Sequence, residues 1–248
     1  MKSSGNLPKW LFGLALLGLV LFLLSSNDLL GSVHASHLSG GKGCRRVIAL
    51  TFDDGPDTPY TQQVLDILKA NSVEATFFVE GQAAADHPEQ VKALSVAGME
   101  VGSHSYTHSR QLSTMDETQF RSDLMSADSV LAGILGQRPS LYRAPFGKTS
   151  TTMLRELRDA GYMSVGWDID STDWRETSPD KIAQKVLSKA HPGAIVLMHD
   201  GGLAGGNPDR TATIQALPKI LAGLHDEDYE LVNVSEILDP SVCITSSP

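Results

Sequence analysis

Asp53-Asp54 closes an apolar run, Val47-Ile48-Ala49-Leu50-Thr51-Phe52, and Gly55-Pro56 breaks it. Ionised neighbours at the mouth of a buried strand repel each other and lose hydration, so they need a cation, a shared proton or strong donors. Alone, the same residues also read as a solvated turn. His104-Ser105-Tyr106-Thr107-His108 shifts that balance, because imidazoles four residues apart reach one ion from a helical turn or a tight loop. Two histidines and one carboxylate leave coordination positions open for water and substrate. Arg143-Ala144-Pro145-Phe146 sets a permanent cation beside a stiffened turn, where it can hold a carboxylate or simply face solvent. Asp170-Ser171-Thr172-Asp173-Trp174 brings further carboxylates, and Leu197-Met198-His199-Asp200 ends an apolar run in a histidine. Such a histidine is either a hydrogen-bonded core residue or, given an aspartate partner, a proton donor.

Other chemistries lack their residues. His34, His37, His87, His191 and His225 read as tail or helix-surface positions, and no cysteine pair has metal-ligand spacing. There is no glycine-rich phosphate loop before a helix and no Gly-x-Ser-x-Gly element, which argues against a nucleotide enzyme or a serine hydrolase. Gly201-Gly202-Leu203-Ala204-Gly205-Gly206-Asn207 reads as an exposed turn.

Bringing five such segments together requires elements that end at one place. Strand patterns run over Val47 to Phe52, Ala75 to Val79, Glu100 to Ser103, Leu141 to Arg143, Met163 to Trp167, Ala194 to Met198 and Glu230 to Val234. Helical patterns lie between them, over Thr61 to Ala70, Pro88 to Ala97, Asp116 to Leu135, Ser150 to Ala160, Pro179 to Ala190 and Thr213 to Leu224. This alternation predicts a parallel β/α arrangement, a barrel or a doubly wound sheet. The polar segments follow the C-terminal ends of different strands, which a barrel gathers on one face, so the expected fold class is an α/β barrel of about seven parallel strands.

The chain has 248 residues, 41% hydrophobic and 20% charged, with no internal repeat and no Pro/Ser-rich linker in its globular part, which fits one large domain. A formal charge of -9 and the lack of a Lys/Arg run exclude a nucleic-acid partner and leave a neutral or cationic glycan unopposed. Lys2 and Lys9 precede the apolar run from Trp10 to Leu24, which reads as an export signal. Cleavage near Ala35 is the favoured reading, and retention of residues 10–24 as a membrane anchor is the alternative. The division is therefore 1–35 signal or anchor, 36–43 linker, 44–243 globular domain and 244–248 tail. Cys44 and Cys243 bracket that domain, and in an oxidising compartment the pair predicts a disulfide. Closing so long a loop stabilises by roughly 4 to 5 kcal/mol on the chain-entropy model.

Taken in order, Thr51-Phe52-Asp53-Asp54-Gly55-Pro56, His104-Ser105-Tyr106-Thr107-His108, Arg143-Ala144-Pro145-Phe146, Asp170-Ser171-Thr172-Asp173-Trp174 and Leu197-Met198-His199-Asp200 resemble the five motifs of polysaccharide deacetylases, the NodB-homology domains of carbohydrate esterase family 4. The resemblance spans about Arg46 to Leu238. It implies a distorted (β/α) barrel and a divalent ion, usually Zn2+ with Co2+ or others in some members, held by Asp54, His104 and His108. It further implies Asp53 as general base, Arg143 as its orienting partner, His199 as general acid and Asp173 as the residue that charges it. Phe146 would offer a backbone N–H to the substrate, and Trp174 and Leu197 would line the pocket for the acetyl methyl. The expected function is an exported hydrolase that removes N-acetyl groups from peptidoglycan or chitin-type glycans. The alternatives are an O-acetyl xylan esterase and a non-catalytic glycan-binding module. Oligomeric state is not legible.

Overall fold

The computed structural model describes residues 37–202 and 209–243. The export segment at 1–35, the tail at 244–248 and most of the glycine-rich turn lie outside the described residues. The strands are β1 (His37–Leu38), β2 (Val47–Asp53), β3 (Thr76–Val79), β4 (Glu100–Ser103), β5 (Leu141–Tyr142), β6 (Met163–Val165), β7 (Ile169–Asp170), β8 (Ala194–His199) and β9 (Glu230–Val232). The helices are α1 (Tyr60–Ala70), α2 (Gly81–Asp86), α3 (Pro88–Val96), α4 (Glu117–Leu135), α5 (Thr151–Asp159), α6 (Pro179–Leu187), α7 (Thr211–Asp226) and α8 (Val234–Ile237).

All strand pairings are parallel, in the order β1-β6-β5-β4-β3-β2-β8-β7. One edge of β2 carries β8, and the other is shared between β9 along Val47 to Ala49 and β3 along Thr51 to Asp53. β6 and β7 follow each other in sequence but lie towards opposite ends of this order, so residues 166–168 cross the seam and the sheet curls into a distorted barrel. Gly166 N donates to the Leu38 carbonyl at 2.6 Å, and Asp168 N to the Ile195 carbonyl at 3.2 Å.

Two differences from the sequence reading arise at that seam. Met163 to Trp167 is not one strand, because the backbone changes partner there and resumes as β7 beside β8. Within the segment read as linker, His37 and Leu38 form β1 beside β6, and Gly41 N donates to the Gly193 carbonyl at 2.8 Å. His37, read as a tail residue, lies 3.2 Å from Ser164 Oγ through its Nδ1. A two-residue strand carries no periodicity, yet it satisfies an edge that would otherwise stay unpaired. The short α2 was likewise invisible to pattern.

The barrel positions its mouth by strand parity. Along β2, Ile48, Leu50 and Phe52 pack outward against α1 and α7, whereas Val47 and Ala49 pack inward with Phe78, Val165 and Ile195. Side chains alternate along a strand, so Thr51 and Asp53 continue the inward set and reach the interior at its C-terminal end. In β8, Ala194, Val196 and Met198 face the helices while Ile195 faces in, so Leu197 and His199 end the strand on the inner face. Helices cover one side of the sheet and the barrel core the other, which is why β2 is buried throughout.

Four of the helices begin at a side-chain acceptor, the last of them α8 at Asn233. Asp116 and Gln119 form a capping box at the start of α4, and Ser150 and Ser178 cap α5 and α6. Cys44 and Cys243 are bridged, tying the two ends of the barrel domain together beside Ile237.

Candidate active site

At the end of β2, Arg143 is fully buried and donates from Nη1 to Asp53 Oδ1 at 2.7 Å and to Thr51 Oγ1 at 2.6 Å. Nη2 donates to the Gly166 carbonyl at 2.8 Å, and the guanidinium lies over the Phe78 ring at 4.0 Å. One Asp53 oxygen is thereby occupied. The other, Oδ2, lies 3.8 Å from His104 Nε2 and faces the histidine pair.

Asp54 turns the other way, with φ at 73°. Its Oδ1 stands 3.2 Å from His104 Nε2 and 3.0 Å from His108 Nε2. For metal–ligand bonds of 2.0–2.1 Å, tetrahedral ligands sit roughly 3.3 Å apart, so these atoms fit the edges of one coordination shell. The Nδ1 of His104 lies 2.9 Å from the Arg143 carbonyl and donates to it, which leaves Nε2 to face Asp54. Burial works to raise the Asp54 pKa, but hydrogen bonds with both histidines and the charge of His199 overcome it and hold the carboxyl well below its usual range. Among the described residues, Asp54, His104 and His108 are the group able to converge on a metal ion.

The histidine pair lies on a tight loop and not on a helix. Asp123 of α4 anchors that loop by accepting from Tyr106 N at 2.9 Å, Thr107 N at 3.1 Å and Thr107 Oγ1 at 2.7 Å. Ser105 and His108 take φ of 67° and 47° there. Phe146 at 60° and Thr172 at 62° add two more positive φ values at the barrel mouth. Such strain survives only where surrounding contacts over-determine it, and here it collects around one cavity.

Across that cavity, His199 Nδ1 lies 2.8 Å from Asp173 Oδ1, and its backbone N donates to Asp173 Oδ2 at 2.8 Å. Thr213 Oγ1 of α7 adds a third donor to Asp173 at 2.9 Å. Burial lowers the imidazole pKa, but the charge and hydrogen bond of Asp173 outweigh it and push His199 up to about 9. With Nδ1 committed to Asp173, Nε2 is the ring nitrogen left for the cavity. Asp200, next in sequence, does not join this pair. It accepts from Thr61 Oγ1 at 2.6 Å, and burial first, with the Asp54 and Asp53 charges, pushes it up to about 7.

One cavity of about 440 Å³ is lined by Asp53, Asp54, His104, His108, Phe146, Trp174, Leu197 and His199, so the sequence-predicted segments meet. Arg143 and Asp173 sit behind its wall, each on one lining residue. Phe146 packs edge-on to His108 with ring centres 4.7 Å apart.

The polysaccharide deacetylase family model matches residues 40–165. The chain belongs to the polysaccharide deacetylase family. It is 37% identical over 195 residues to a peptidoglycan-N-acetylglucosamine deacetylase of Bacillus cereus, covering 78% of this chain and 88% of the relative. To a chitooligosaccharide deacetylase of Bradyrhizobium sp. it is 34% identical over 193 residues, covering 75% and 88%. A crystal structure of a peptidoglycan N-acetylglucosamine deacetylase superposes with a TM-score of 0.76 at 32% identity, over 85% of this chain and 94% of that one. A CE4 family pseudoenzyme from Bacillus anthracis also superposes with a TM-score of 0.76, at 29% identity over 85% and 71%. A polysaccharide deacetylase fold therefore does not by itself carry turnover, and the argument for chemistry rests on the side chains.

Two residues at this site carry no sequence signal: Asp123 and Arg210 sit mid-helix and at a helix start, and no local pattern separates them from surface charges, while Thr51 lies in the first motif without a role of its own.

Proposed function

We propose that this chain is an exported, metal-dependent deacetylase that removes N-acetyl groups from N-acetylglucosamine-containing glycans of the peptidoglycan or chitin type, releasing acetate. The observation that carries it is the opposition, across one cavity, of Asp53 Oδ2 beside the Asp54-His104-His108 cluster and His199 paired with Asp173. The names of the relatives support the substrate class, since they act on peptidoglycan and on chitooligosaccharides. Asp54, His104 and His108 hold the ion, for which Zn2+ suits two imidazoles and a carboxylate and Co2+ is an alternative. When bound, the ion supplies Lewis acidity towards water and the acetyl carbonyl.

The residues of the chain do the rest. Asp53 Oδ2 takes a proton from the attacking water while Arg143 keeps the carboxylate turned towards it. The Phe146 backbone N–H donates to the oxyanion, and Trp174 and Leu197 enclose the acetyl methyl. His199 Nε2 delivers a proton to the departing nitrogen as the carbon–nitrogen bond breaks, and Asp173 stabilises the imidazolium that does so. Export accords with the basic and apolar N-terminal segment and with the Cys44–Cys243 bridge.

The test is acetate release from peptidoglycan, N-acetyl chitooligomers and acetylxylan, with and without a chelator. Release from either N-acetylated glycan, lost to the chelator and restored by Zn2+, is expected. Asp53→Asn should lower the rate by about 10²- to 10⁴-fold. Release from acetylxylan alone identifies an O-acetyl esterase, and none from any substrate leaves a binding module.

A further inference from the structure

Arg210 lines the same cavity, is 2% exposed, and has no part in the steps above. Its Nε donates to the Gly201 carbonyl at 2.8 Å, while its buried Nη1 has no hydrogen-bond partner among the described residues. A guanidinium buried with a nitrogen unsatisfied is costly, and such a group is retained where its position does something. What it touches is the backbone that follows His199.

Gly201 and Gly202 lie against Asp54. A Cβ on Gly201 would stand 2.4 Å from the Asp54 carbonyl oxygen and 2.9 Å from Gly55 Cα. One on Gly202, where φ is +119°, would stand 2.6 Å from Asp54 Oδ2 and 3.0 Å from Arg210 Nη2. A single methyl on Gly202 would thus meet both the carboxylate and the guanidinium, while Gly201, whose carbonyl Arg210 holds, lies directly against the Asp54–Gly55 backbone. Asp54 needs such support, because its own φ of 73° is unfavourable for a residue with a side chain.

We propose that Arg210 is a positioning residue: by holding the Gly201 carbonyl it presses the 201–202 backbone against Asp54 and fixes the carboxylate that joins His104 and His108 in the candidate metal site. It acts on Asp54 through the backbone. The inference rests on the metal-binding reading of those three residues.

The experiment is Co2+ affinity of the full chain, measured by competition with a chromophoric chelator, together with the visible spectrum of the cobalt-loaded protein. Wild-type protein should bind one Co2+, and failure to do so overturns the metal reading itself. Given that binding, R210Q should weaken it by about 10- to 100-fold and alter the cobalt spectrum with the far-UV circular dichroism unchanged. R210K, which keeps a donor within reach of Gly201, should recover part of the loss. G202A keeps the arginine but sets a methyl where both Asp54 Oδ2 and Arg210 Nη2 now reach, and should weaken Co2+ at least tenfold. An affinity within twofold of wild type in both R210Q and G202A overturns the proposal while leaving the metal site standing, even where R210Q lowers thermal stability. If R210Q does not fold, an unchanged affinity in G202A overturns it alone.

Discussion

His199 owes its proposed role to one neighbour. Burial alone would leave the imidazole neutral at physiological pH, and the Asp173 carboxylate at 2.8 Å reverses that and carries its pKa to about 9. A group that must arrive protonated loses activity as pH rises through its pKa, so His199 sets the basic limb of the rate profile. A dication held by Asp54 opposes the charges of Asp54 and Asp53 on His199, so in loaded enzyme that limb should fall between the ordinary 6.5 and about 9. Asp173→Asn removes the main raising influence and leaves burial. The basic limb of kcat/KM against pH should then move to 6.5 or below, and a limb that stays in place sinks the pairing. Residues of this kind were legible because a histidine ending an apolar run and a carboxylate dyad are chemically conspicuous. Arg210 and Asp123 were not, since each serves the site by holding the backbone of a neighbouring loop, which leaves no mark on its own residue type.

At the scale of elements, the loop from His104 to His108 is held by a helix it does not adjoin in sequence. Asp123 satisfies two backbone N–H groups and a hydroxyl of that loop from the buried face of α4. Asp123→Ala leaves those donors unpaired and should cost about 1–3 kcal/mol by chemical denaturation. It should also weaken Co2+ binding by roughly tenfold, because the second histidine then loses its fixed φ. Equal affinity in the variant would show that the loop keeps its shape unaided. Strands were legible to within a residue or two where period and apolarity coincide, as in β2 and β8. The break after Val165 was not, because it follows from a change of partner strand and not from local sequence.

For the whole molecule, barrel closure and the disulfide act on the same end. β1 covers the seam, and the bridge between Cys44 and Cys243 joins positions 199 residues apart. Cys44→Ser with Cys243→Ser should lower stability by roughly 2–5 kcal/mol. At about 2–4 °C per kcal/mol for a domain of this size, calorimetry should read a melting temperature lower by roughly 5–20 °C. Metal affinity should hardly change, since the motif loops lie at the opposite ends of β2 and β8. Composition and order alone determined a parallel β/α barrel with its polar segments at strand ends, because side-chain alternation and helical period are relations between residues two to four apart. The residue pattern left the partners of Arg143 and His199 open until the motif resemblance implied Asp53 and Asp173, and only tertiary structure decided that Asp200 turns to Thr61 and that Arg210 backs the Asp54 turn. Those pairings depend on strand register and packing across tens of residues, where no local periodicity reaches.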